Sequence, residues 1–412
     1  MKKKRIAMIS FHTCPLASQE GKESGGMNVY VLELSKVLVK KGYEVDIFTR
    51  CQNEDNPTMV NISPGLRLMH LPAGPCEPIP KKKLMTYTND YVKNFKEFTR
   101  SQEVTYDLLH CHYYLSGLIG LGIKKYYKTR LPIIMSFHTL ALMKNLVARD
   151  EMEKEEVARE KAEAMLTQKV DRIIAPSENE MNYLMYLYNT QEEKIVVIAP
   201  GVDTRLFRPL DKYLAKKKIG ADQKDKILLF VGRIEPLKGL DMVLYAIKVL
   251  RMRRPELKVC FWIVGGDISQ GQDLWSKPLR ALTRLKNLLH ISTFVKFVGQ
   301  RPQDELPYYY NSADVVVMPS HYESFGMVAL ESMACGTPVI TTNVAGISSL
   351  INKKHSALIT FVNNPLHLAK QIEHLLTNDS VHKQISRETL ESARELDWKN
   401  ITDKIIKVYE KL

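Results

Sequence analysis

Short apolar runs alternate along the chain with stretches whose apolar residues recur at helical spacing. The stretch 314–342 shows the pattern in full. Asp314–Met318 carries four consecutive apolar residues, which is typical of a parallel strand buried on both faces. Phe325–Ala334 has apolar residues at 325, 328, 329 and 333, which favours a helix, and Val339–Thr342 restarts a strand. This order predicts a strand–helix–strand unit in a parallel sheet.

The same alternation covers most of the chain and predicts an α/β protein. At 412 residues the chain is long for one core, so two domains are expected. Strands are predicted at 4–10, 43–49, 67–71, 106–111, 132–137, 172–176, 194–199, 227–231, 257–264, 295–301, 314–318 and 339–342. Helices are predicted at 28–41, 84–99, 150–169 and 325–334 and within 268–290. The stretch Pro200–Pro209 interrupts the alternation and marks a hinge. The expected domains are therefore 1–200, together with a terminal helix at about 396–412, and 201–395.

Composition narrows the class of protein. The hydrophobic fraction of 45% and the charged fraction of 25% are those of a soluble globular chain. The net charge of +13 is spread over both halves without a basic stripe interleaved with aromatics, so nucleic-acid binding is not predicted. The basic N-terminus leads into a first strand and does not resemble a signal peptide. No apolar segment approaches the roughly 20 residues that span a bilayer. The scattered cysteines are typical of a cytoplasmic protein, so a cytoplasmic location is expected. A basic amphipathic helix within 268–290 leaves peripheral membrane contact open.

The cysteines and histidines do not predict a metal site. The six cysteines, at 14, 51, 76, 111, 260 and 335, are scattered without a C-x-x-C pair, and all are predicted to be reduced thiols. His110, His112 and His138 have no carboxylate or cysteine at ligand spacing to complete a set. We therefore expect neither a disulfide, nor a bound metal, nor a cofactor.

Two carboxylates stand out in the stretch 314–342. Glu323 lies in the loop before the predicted helix, and Glu331 about two turns inside it. A random pair of glutamates at this spacing is most often two solvated side chains. Here the surrounding residues, PS-x-x-E-S-F-G-M-V-A-L-E-S-M-A-C-G-T-P-V-I, form a dense pattern over more than twenty positions. The pattern resembles the nucleotide-sugar signature of the retaining glycosyltransferases of family 4, which have the GT-B fold.

The resemblance implies a donor-binding role for this stretch. Glu323 would hold hydroxyls of the donor sugar, and Glu331 would accept both ribose hydroxyls. A carboxylate accepts from vicinal hydroxyls, and a helix N-terminus favours a diphosphate, so the residue types suit the role. The donor would also meet the start of the helix, at Phe325, Gly326, Met327 and Val328.

A second donor motif follows the predicted strand 227–231. Arg233 and Lys238 lie five residues apart in a glycine-flanked loop, where a guanidinium fork and an ammonium can clamp a diphosphate. A chance basic loop is the alternative, but G-R-x-x-x-x-K-G is the diphosphate clamp of the family. The resemblance adds the Gly25-Gly26 loop, which would touch the same diphosphate, and Arg301, whose loop would frame the base.

The first half of the chain carries the acceptor residues. His138 ends the predicted strand 132–137, where it either caps the next helix or points to a ligand. The resemblance makes it the active-site histidine that meets the donor sugar. LPAGP followed by a lysine is similar to the members of the family that glycosylate D-inositol 3-phosphate. On that resemblance the acceptor would contact Asn28, Lys81, Tyr113, Thr139 and Arg159.

The expected protein is a retaining hexosyltransferase with two Rossmann-like domains facing a cleft. It would move glucose or N-acetylglucosamine from a nucleotide-sugar, UDP being the favoured nucleotide, to a small phosphorylated acceptor such as inositol phosphate or a sugar phosphate. His138, Arg233, Lys238 and Glu323 would form the catalytic set. A lipid or polysaccharide-precursor acceptor at the membrane is the alternative. More distant alternatives are a nucleotide-sugar epimerase, a non-catalytic binding protein and an NAD-dependent dehydrogenase, although the last lacks G-x-G-x-x-G after its first strand. A homodimer is left open.

Overall fold

The computed structural model describes residues 3–16, 25–127, 131–343, 346 and 358–412. Within these ranges the chain forms two compact units. The first contains the N-terminal strand, Gly26–Ala199 and Trp398–Leu412, and the second contains Pro200–Asp397.

The first unit is built on an eight-stranded sheet in the order β3-β4-β2-β1-β5-β6-β7-β8. Its strands are β1 (Arg5–Ile9), β2 (Glu44–Arg50), β3 (Met59–Ser63), β4 (Leu66–Leu71), β5 (Leu108–His112), β6 (Ile133–Ser136), β7 (Arg172–Ala175) and β8 (Ile195–Val197). Its helices are α1 (Gly26–Lys40), α2 (Thr88–Ser101), α3 (Tyr114–Tyr127), α4 (Ala141–Leu146), α5 (Val157–Lys169), α6 (Glu178–Tyr188) and a C-terminal helix (Trp398–Tyr409). All pairings are parallel except β3 with β4.

The second unit is built on a six-stranded sheet in the order β11-β10-β9-β12-β13-β14, and every pairing is parallel. Its strands are β9 (Lys226–Val231), β10 (Val259–Val264), β11 (Val295–Gly299), β12 (Val315–Met318), β13 (Val339–Thr342) and β14 (Leu358–Thr360). Its helices are α7 (Lys212–Lys218), α8 (Leu240–Arg253), α9 (Lys277–Leu288), α10 (Leu306–Ser312), α11 (Met327–Ala334), α12 (Pro365–Thr377) and α13 (Asp379–Glu395).

Both sheets have a doubly wound strand order. In each unit the order reverses between two neighbouring strands, β1 and β5 in the first and β9 and β12 in the second. Ligands of open α/β sheets bind at such switch points, outside the carboxyl ends of the strands. The predicted fold class is confirmed, because each half of the chain carries its own α/β core around buried apolar strands.

Several elements differ from the sequence prediction, and three of them have a clear physical reason. The edge strand β3 was not predicted, because its residues are alternately exposed and half-buried and its apolar run is short. The helix expected from residue 84 begins instead as a 3₁₀ segment, Lys81–Tyr87, and continues as α2. The helix expected from residue 150 begins at Val157, because the Asp150 side chain accepts the backbone N–H groups of Met152 and Glu153 and favours turns there.

The expectation that all six cysteines are reduced is wrong for one pair. Cys51 and Cys76 form a disulfide, with their Cα atoms 5.1 Å apart. Cys51 follows β2 and Cys76 lies in the loop after β4, and these two strands are neighbours in the sheet. The sequence separation of 25 hides this proximity, which only the strand order creates. Cys14, Cys111, Cys260 and Cys335 do not take part in disulfides.

Candidate active site

In the second unit, the predicted donor residues follow the carboxyl ends of adjacent strands. Arg233 and Lys238 come after β9, and Glu323 comes after its neighbour β12. The two loops are in contact, since the backbone N–H of His321 donates to the carbonyl of Leu237 at 2.8 Å. The switch point of this sheet therefore brings the basic residues Arg233 and Lys238 close to Glu323.

Lys238 and Glu323 form an ion pair at this edge, with Nζ and Oε2 2.5 Å apart and side chains about one-fifth exposed. Gly239 makes the approach possible. Its φ is +65°, and a Cβ at this position would lie 2.2 Å from the carbonyl oxygen of Pro319. A side chain at residue 239 would push the lysine loop away from the loop that carries Glu323.

Arg233 and Arg301 are less fully engaged than Lys238. The Arg233 guanidinium bonds Glu235 at 2.9 Å, and nearly half of its side chain is exposed. Arg301 follows β11 and donates one Nη2 hydrogen bond to the carbonyl of Val298, whereas its buried Nε has no partner. Both guanidinium groups therefore keep donors that an anionic or polar ligand can use.

Glu331 lies inside α11 and is only 6% exposed. The hydroxyl of Tyr310, on α10, donates to its Oε2 at 2.6 Å. Burial raises the pKa of Glu331 to about 7, and the bond from Tyr310 partly offsets the rise. A carboxylate fixed by one donor keeps its other oxygen oriented for a second one, as a diol ligand requires.

The start of α11 is shaped for an anion. Gly326 forms the N-cap with φ +105°, and Phe325 before it is buried. Met327 and Val328 begin the helix, where the first backbone N–H groups have no intrahelical acceptor. The structure thus brings this helix start, Lys238 and Glu323 to the same strand edge.

In the first unit, three histidines line the carboxyl ends of β5 and β6. His112 Nδ1 lies 3.0 Å from His138 Nε2. His110 is held between the hydroxyls of Ser136 and Tyr409, at 3.0 and 2.8 Å, and its ring stacks on that of His112. Burial lowers the pKa of His110 and of His138 to about 3, and that of His112 well below its usual range. All three imidazoles are therefore neutral at physiological pH.

Two predicted site residues have unusual backbones. Tyr113 has φ +75° and His138 has φ +62°, in the left-handed region that residues with side chains rarely occupy. Tyr113 directly follows β5 and His138 lies two residues after the end of β6, and the N–H of Tyr113 donates to the carbonyl of Ser136 at 2.9 Å. Backbone strain of this kind clusters at functional sites, which supports a ligand role for this edge.

Asn28 lies in the first turn of α1 with a side chain 5% exposed, and neither its amide nitrogen nor its carbonyl oxygen has a partner. A buried amide without partners is costly unless a ligand completes its hydrogen bonds. Gly25 directly precedes α1 and Gly26 is its first residue, and both are exposed, so α1 begins at the predicted glycine loop.

Arg159 is buried, not solvated, although its helix sequence is highly charged. Its side chain is 3% exposed and bonds Glu163 at 2.7 Å and Glu155 at 2.9 Å. Its Nη2 also donates to the carbonyl and hydroxyl of Thr139, at 2.9 and 3.0 Å, and the guanidinium lies over the ring of Tyr113. Arg159 therefore connects two predicted acceptor residues. Its contact with an acceptor phosphate stays a prediction.

Lys81 begins the 3₁₀ segment after the loop 72–80. Two interactions hold that loop. The fully buried Arg50 donates to the carbonyls of Pro75 and Glu77, each at 2.6 Å, and Cys51 forms a disulfide with Cys76. The sequence prediction missed Arg50, because a lone arginine ending a strand carries no motif.

Other positioning residues were missed for the same reason. The hydroxyl of Tyr188 donates to Glu163 at 2.5 Å, and Glu163 in turn accepts the N–H of Ala141 at the start of α4. His112 and Tyr310 belong with them. Tyr188, His112 and Tyr310 each contact a partner on another element, so sequence spacing holds no signal for the contact.

Among the described residues, histidine, cysteine and acidic side chains do not gather into a group of three that could hold a metal ion. Within the same residues, every helix is too short or too polar to cross a membrane.

Comparisons with known proteins match both halves of the chain. The family model "Glycosyltransferase Family 4" matches residues 24–206, and "Glycosyl transferases group 1" matches residues 211–392. The D-inositol 3-phosphate glycosyltransferase of Corynebacterium efficiens is 32% identical over 411 residues, 98% of this chain and 95% of that protein. A sucrose-phosphate synthase from Thermosynechococcus elongatus superposes with a TM-score of 0.89 at 28% identity, over 99% of each chain. HepE of Anabaena, in complex with UDP and glucose, has a TM-score of 0.75 at 17% identity over 99% of this chain and 100% of its own, and shares the fold.

The fold and the site define a glycosyltransferase of the GT-B class. The chain belongs to glycosyltransferase family 4. This membership confirms the predicted enzyme class and sets aside the epimerase, dehydrogenase and non-catalytic alternatives.

Proposed function

We propose that the enzyme transfers a hexosyl group, with retention, from a UDP-sugar to a small phosphorylated acceptor. The second unit would bind the donor and the first unit the acceptor. The observation that carries the proposal is the meeting of Lys238, Glu323 and the start of α11 at the β9–β12 switch point. A cation, a hydroxyl acceptor and free N–H groups are the three things that a sugar diphosphate needs.

Each donor group has a residue suited to it. The diphosphate would lie against Arg233, Lys238 and the Gly25-Gly26 turn, and the sugar hydroxyls against Glu323. Glu331 would accept from the ribose hydroxyls, with Tyr310 fixing its orientation. Arg301 would frame the base. The bound UDP and glucose of the structurally similar HepE support UDP as the nucleotide.

Transfer would break the bond between the anomeric carbon and the phosphate oxygen. Lys238 and Arg233 would stabilise the negative charge that develops on the leaving diphosphate. The acceptor hydroxyl would attack on the same face, and its proton would pass to the departing phosphate oxygen. His138 would contact the donor sugar. This route leaves the anomeric configuration unchanged without a protein nucleophile.

The acceptor is proposed to carry a phosphate. Lys81, Arg159 and Thr139 supply charge and hydrogen bonds in the first unit, and Asn28 supplies a buried amide without partners. Relatives named for inositol phosphate and sucrose phosphate support this class of acceptor.

The test is a donor-by-acceptor screen that measures nucleoside diphosphate release. Release with UDP-glucose or UDP-N-acetylglucosamine should require a phosphorylated acceptor such as inositol phosphate or fructose phosphate. Lys238→Ala should lower kcat by about 10²–10³-fold, the loss seen when one preorganised group at the developing charge is removed. Lys258→Ala, an exposed lysine of the same unit, is the matched control.

The acceptor arm compares each phosphorylated acceptor with its unphosphorylated form. Lys81→Ala should raise KM for the phosphorylated acceptor and leave the weak reaction of the other unchanged. Equal activity with both forms, in wild type and variant, would contradict the phosphate-binding role. Activity only with lipid acceptors in vesicles would favour the membrane alternative.

A further inference from the structure

His112 and His138 come from neighbouring strands and meet at the ligand edge of the first sheet. In the register of β5 and β6, His112 lies beside Ser136, two residues before His138. The left-handed backbone at His138 turns the chain so that its Nε2 comes within 3.0 Å of His112 Nδ1. One of the two nitrogens must therefore donate a proton to the other.

The surroundings hold both rings in place. The ring of Tyr30 packs edge-on against His138, with centroids 5.2 Å apart, and at 5.7 Å from His112. Behind His112, the ring of His110 stacks at 4.2 Å and is itself fixed by Ser136 and Tyr409. The histidine pair is therefore a rigid unit whose hydrogen-bond direction is set locally.

The second nitrogen of His112 decides that direction. His112 is fully buried, and its Nε2 has no hydrogen-bond partner. Orphaned N–H groups are rarer in protein interiors than acceptors with an unused lone pair. A neutral imidazole carries one proton, so a bare Nε2 puts the proton of His112 on Nδ1. Nδ1 then donates to His138 Nε2, and His138 must carry its own proton on Nδ1.

We propose that His112 is a positioning residue that fixes the tautomer of His138, so that His138 presents an N–H donor at Nδ1 to the substrate. The ligand group it would meet is an oxygen acceptor of the sugar, such as a hydroxyl. Without the His112 contact, nothing in the pair would select this proton position. The role in transfer rests on the proposed function, because it requires that His138 contacts the donor sugar. The tautomer itself does not.

The direct test is ¹⁵N NMR of the imidazole nitrogens in histidine-labelled wild-type enzyme at pH 7. His112→Asn and His138→Gln assign the signals of the two residues among the eleven histidines. We expect His138 to show a protonated Nδ1 and an unprotonated Nε2, and His112 a protonated Nδ1. A protonated Nε2 on His138 overturns the proposal, and this experiment needs no activity.

Two substitutions at residue 112 test the consequence for transfer. Asn places an amide where Nδ1 was and can still donate to His138, whereas Phe keeps a ring without nitrogen. We expect His112→Phe to lower kcat about tenfold with little change in the acceptor KM, and His112→Asn to stay within about threefold of wild type. Equal losses in both, with unchanged melting temperatures, overturn the positioning role.

A variant of His138 distinguishes failure of the proposed function from failure of the tautomer assignment. If His138→Ala keeps full kcat while the wild-type NMR shows the expected tautomer, His138 has no role in transfer and the tautomer assignment stands. If His112→Phe does not fold, the wild-type NMR result alone decides the proposal.

Discussion

The two units bury titratable groups of opposite character at their ligand edges. The first encloses neutral imidazoles, whose pKa values burial lowers, to about 3 for His110. The second encloses the carboxyl group of Glu331, whose pKa burial raises to about 7. Desolvation disfavours the charged form in both, but it moves acids and bases in opposite directions. The same physical cause therefore gives the two units opposite responses to pH.

The two edges also differ in how their charges are paired. Arg159 in the first unit is buried with two carboxylates, whereas Arg233 in the second is half-exposed beside Glu235. Removing one partner of a buried ion pair strongly destabilises the fold, whereas an exposed ion pair contributes little to stability. We infer that the first edge is held by its own internal bonds, and the second keeps charge available for a ligand.

The largest expected effect is that of Arg159→Ala. It leaves Glu163 fully buried without its cation and should lower the free energy of unfolding by about 3–5 kcal/mol. Urea unfolding followed by Trp398, in a variant whose other two tryptophans are phenylalanine, reports the first unit. Lys161→Ala, exposed on the same helix, is the matched control. A loss below 1 kcal/mol would contradict the structural role of the buried network.

Acidification should destabilise the first unit next most strongly. Burial keeps His110, His112 and His138 in their neutral form when the protein is folded, whereas the unfolded chain takes up a second proton on each ring as the pH falls below about 6.5. Their contribution to stability is therefore present above pH 6.5 and is lost as the pH falls below it. Three such groups cost about 4 kcal/mol per pH unit. His110→Phe should lower that slope by about a third, and His374→Asn, an exposed histidine, should leave it unchanged. The same Trp398 signal measures it.

The stability of the second unit should respond to pH in the opposite direction. The raised pKa of Glu331 means that its contribution to stability is present below pH 4.5 and is lost as the pH rises through about 7. The signal of Trp262 and Trp275 reports unfolding of the second unit. It should show that Glu331 causes no steep loss of stability between pH 6.5 and 5. If both units lost stability in parallel as the pH fell, and did so in His110→Phe as well, the contrast between the units would be refuted.

Tyr310→Phe should weaken UDP binding about tenfold at pH 7. Loss of one hydrogen bond to a charged group accounts for roughly 1.5 kcal/mol, and it raises the pKa of Glu331 further, so less carboxylate is ionised. Calorimetric titration of UDP between pH 6 and 8 should show that the affinity falls as the pH is lowered. The midpoint of this pH dependence should lie at a higher pH in the variant. Tyr308→Phe, on the same helix, is the control. Identical pH profiles for Tyr310→Phe and wild type would rule out the orienting role.

The smallest effect is expected for Glu235→Gln. Its ion pair with Arg233 has side chains 37% and 47% exposed, so the free energy of unfolding should change by less than about 1 kcal/mol. Urea unfolding of the second unit measures it, with Glu256→Gln as a second exposed pair for comparison. A loss as large as that of Arg159→Ala would mean that burial is not what separates the two edges.

Motif-bearing loops were the most predictable part of the site. Glu323 and Lys238 follow apolar runs, and the strand order places both runs side by side. Their loops could be read from the sequence because parallel strands put successive carboxyl ends at one edge. The burial of Arg159 could not be predicted from its charged stretch, because mixed charges at i,i+4 spacing do not reveal a neighbouring element that covers them.

The sequence by itself determined the α/β class, most strand positions, the glycosyltransferase family and the position of the motif-bearing loops, because these depend on local periodicity and contiguous residue types. Only the tertiary structure decided which residues position the site: Tyr310 on Glu331, His112 on His138, and Cys51 with Cys76. These contacts join residues from different elements. Burial, which sets the pKa of each group, is likewise a property of the packed units and not of any stretch of chain.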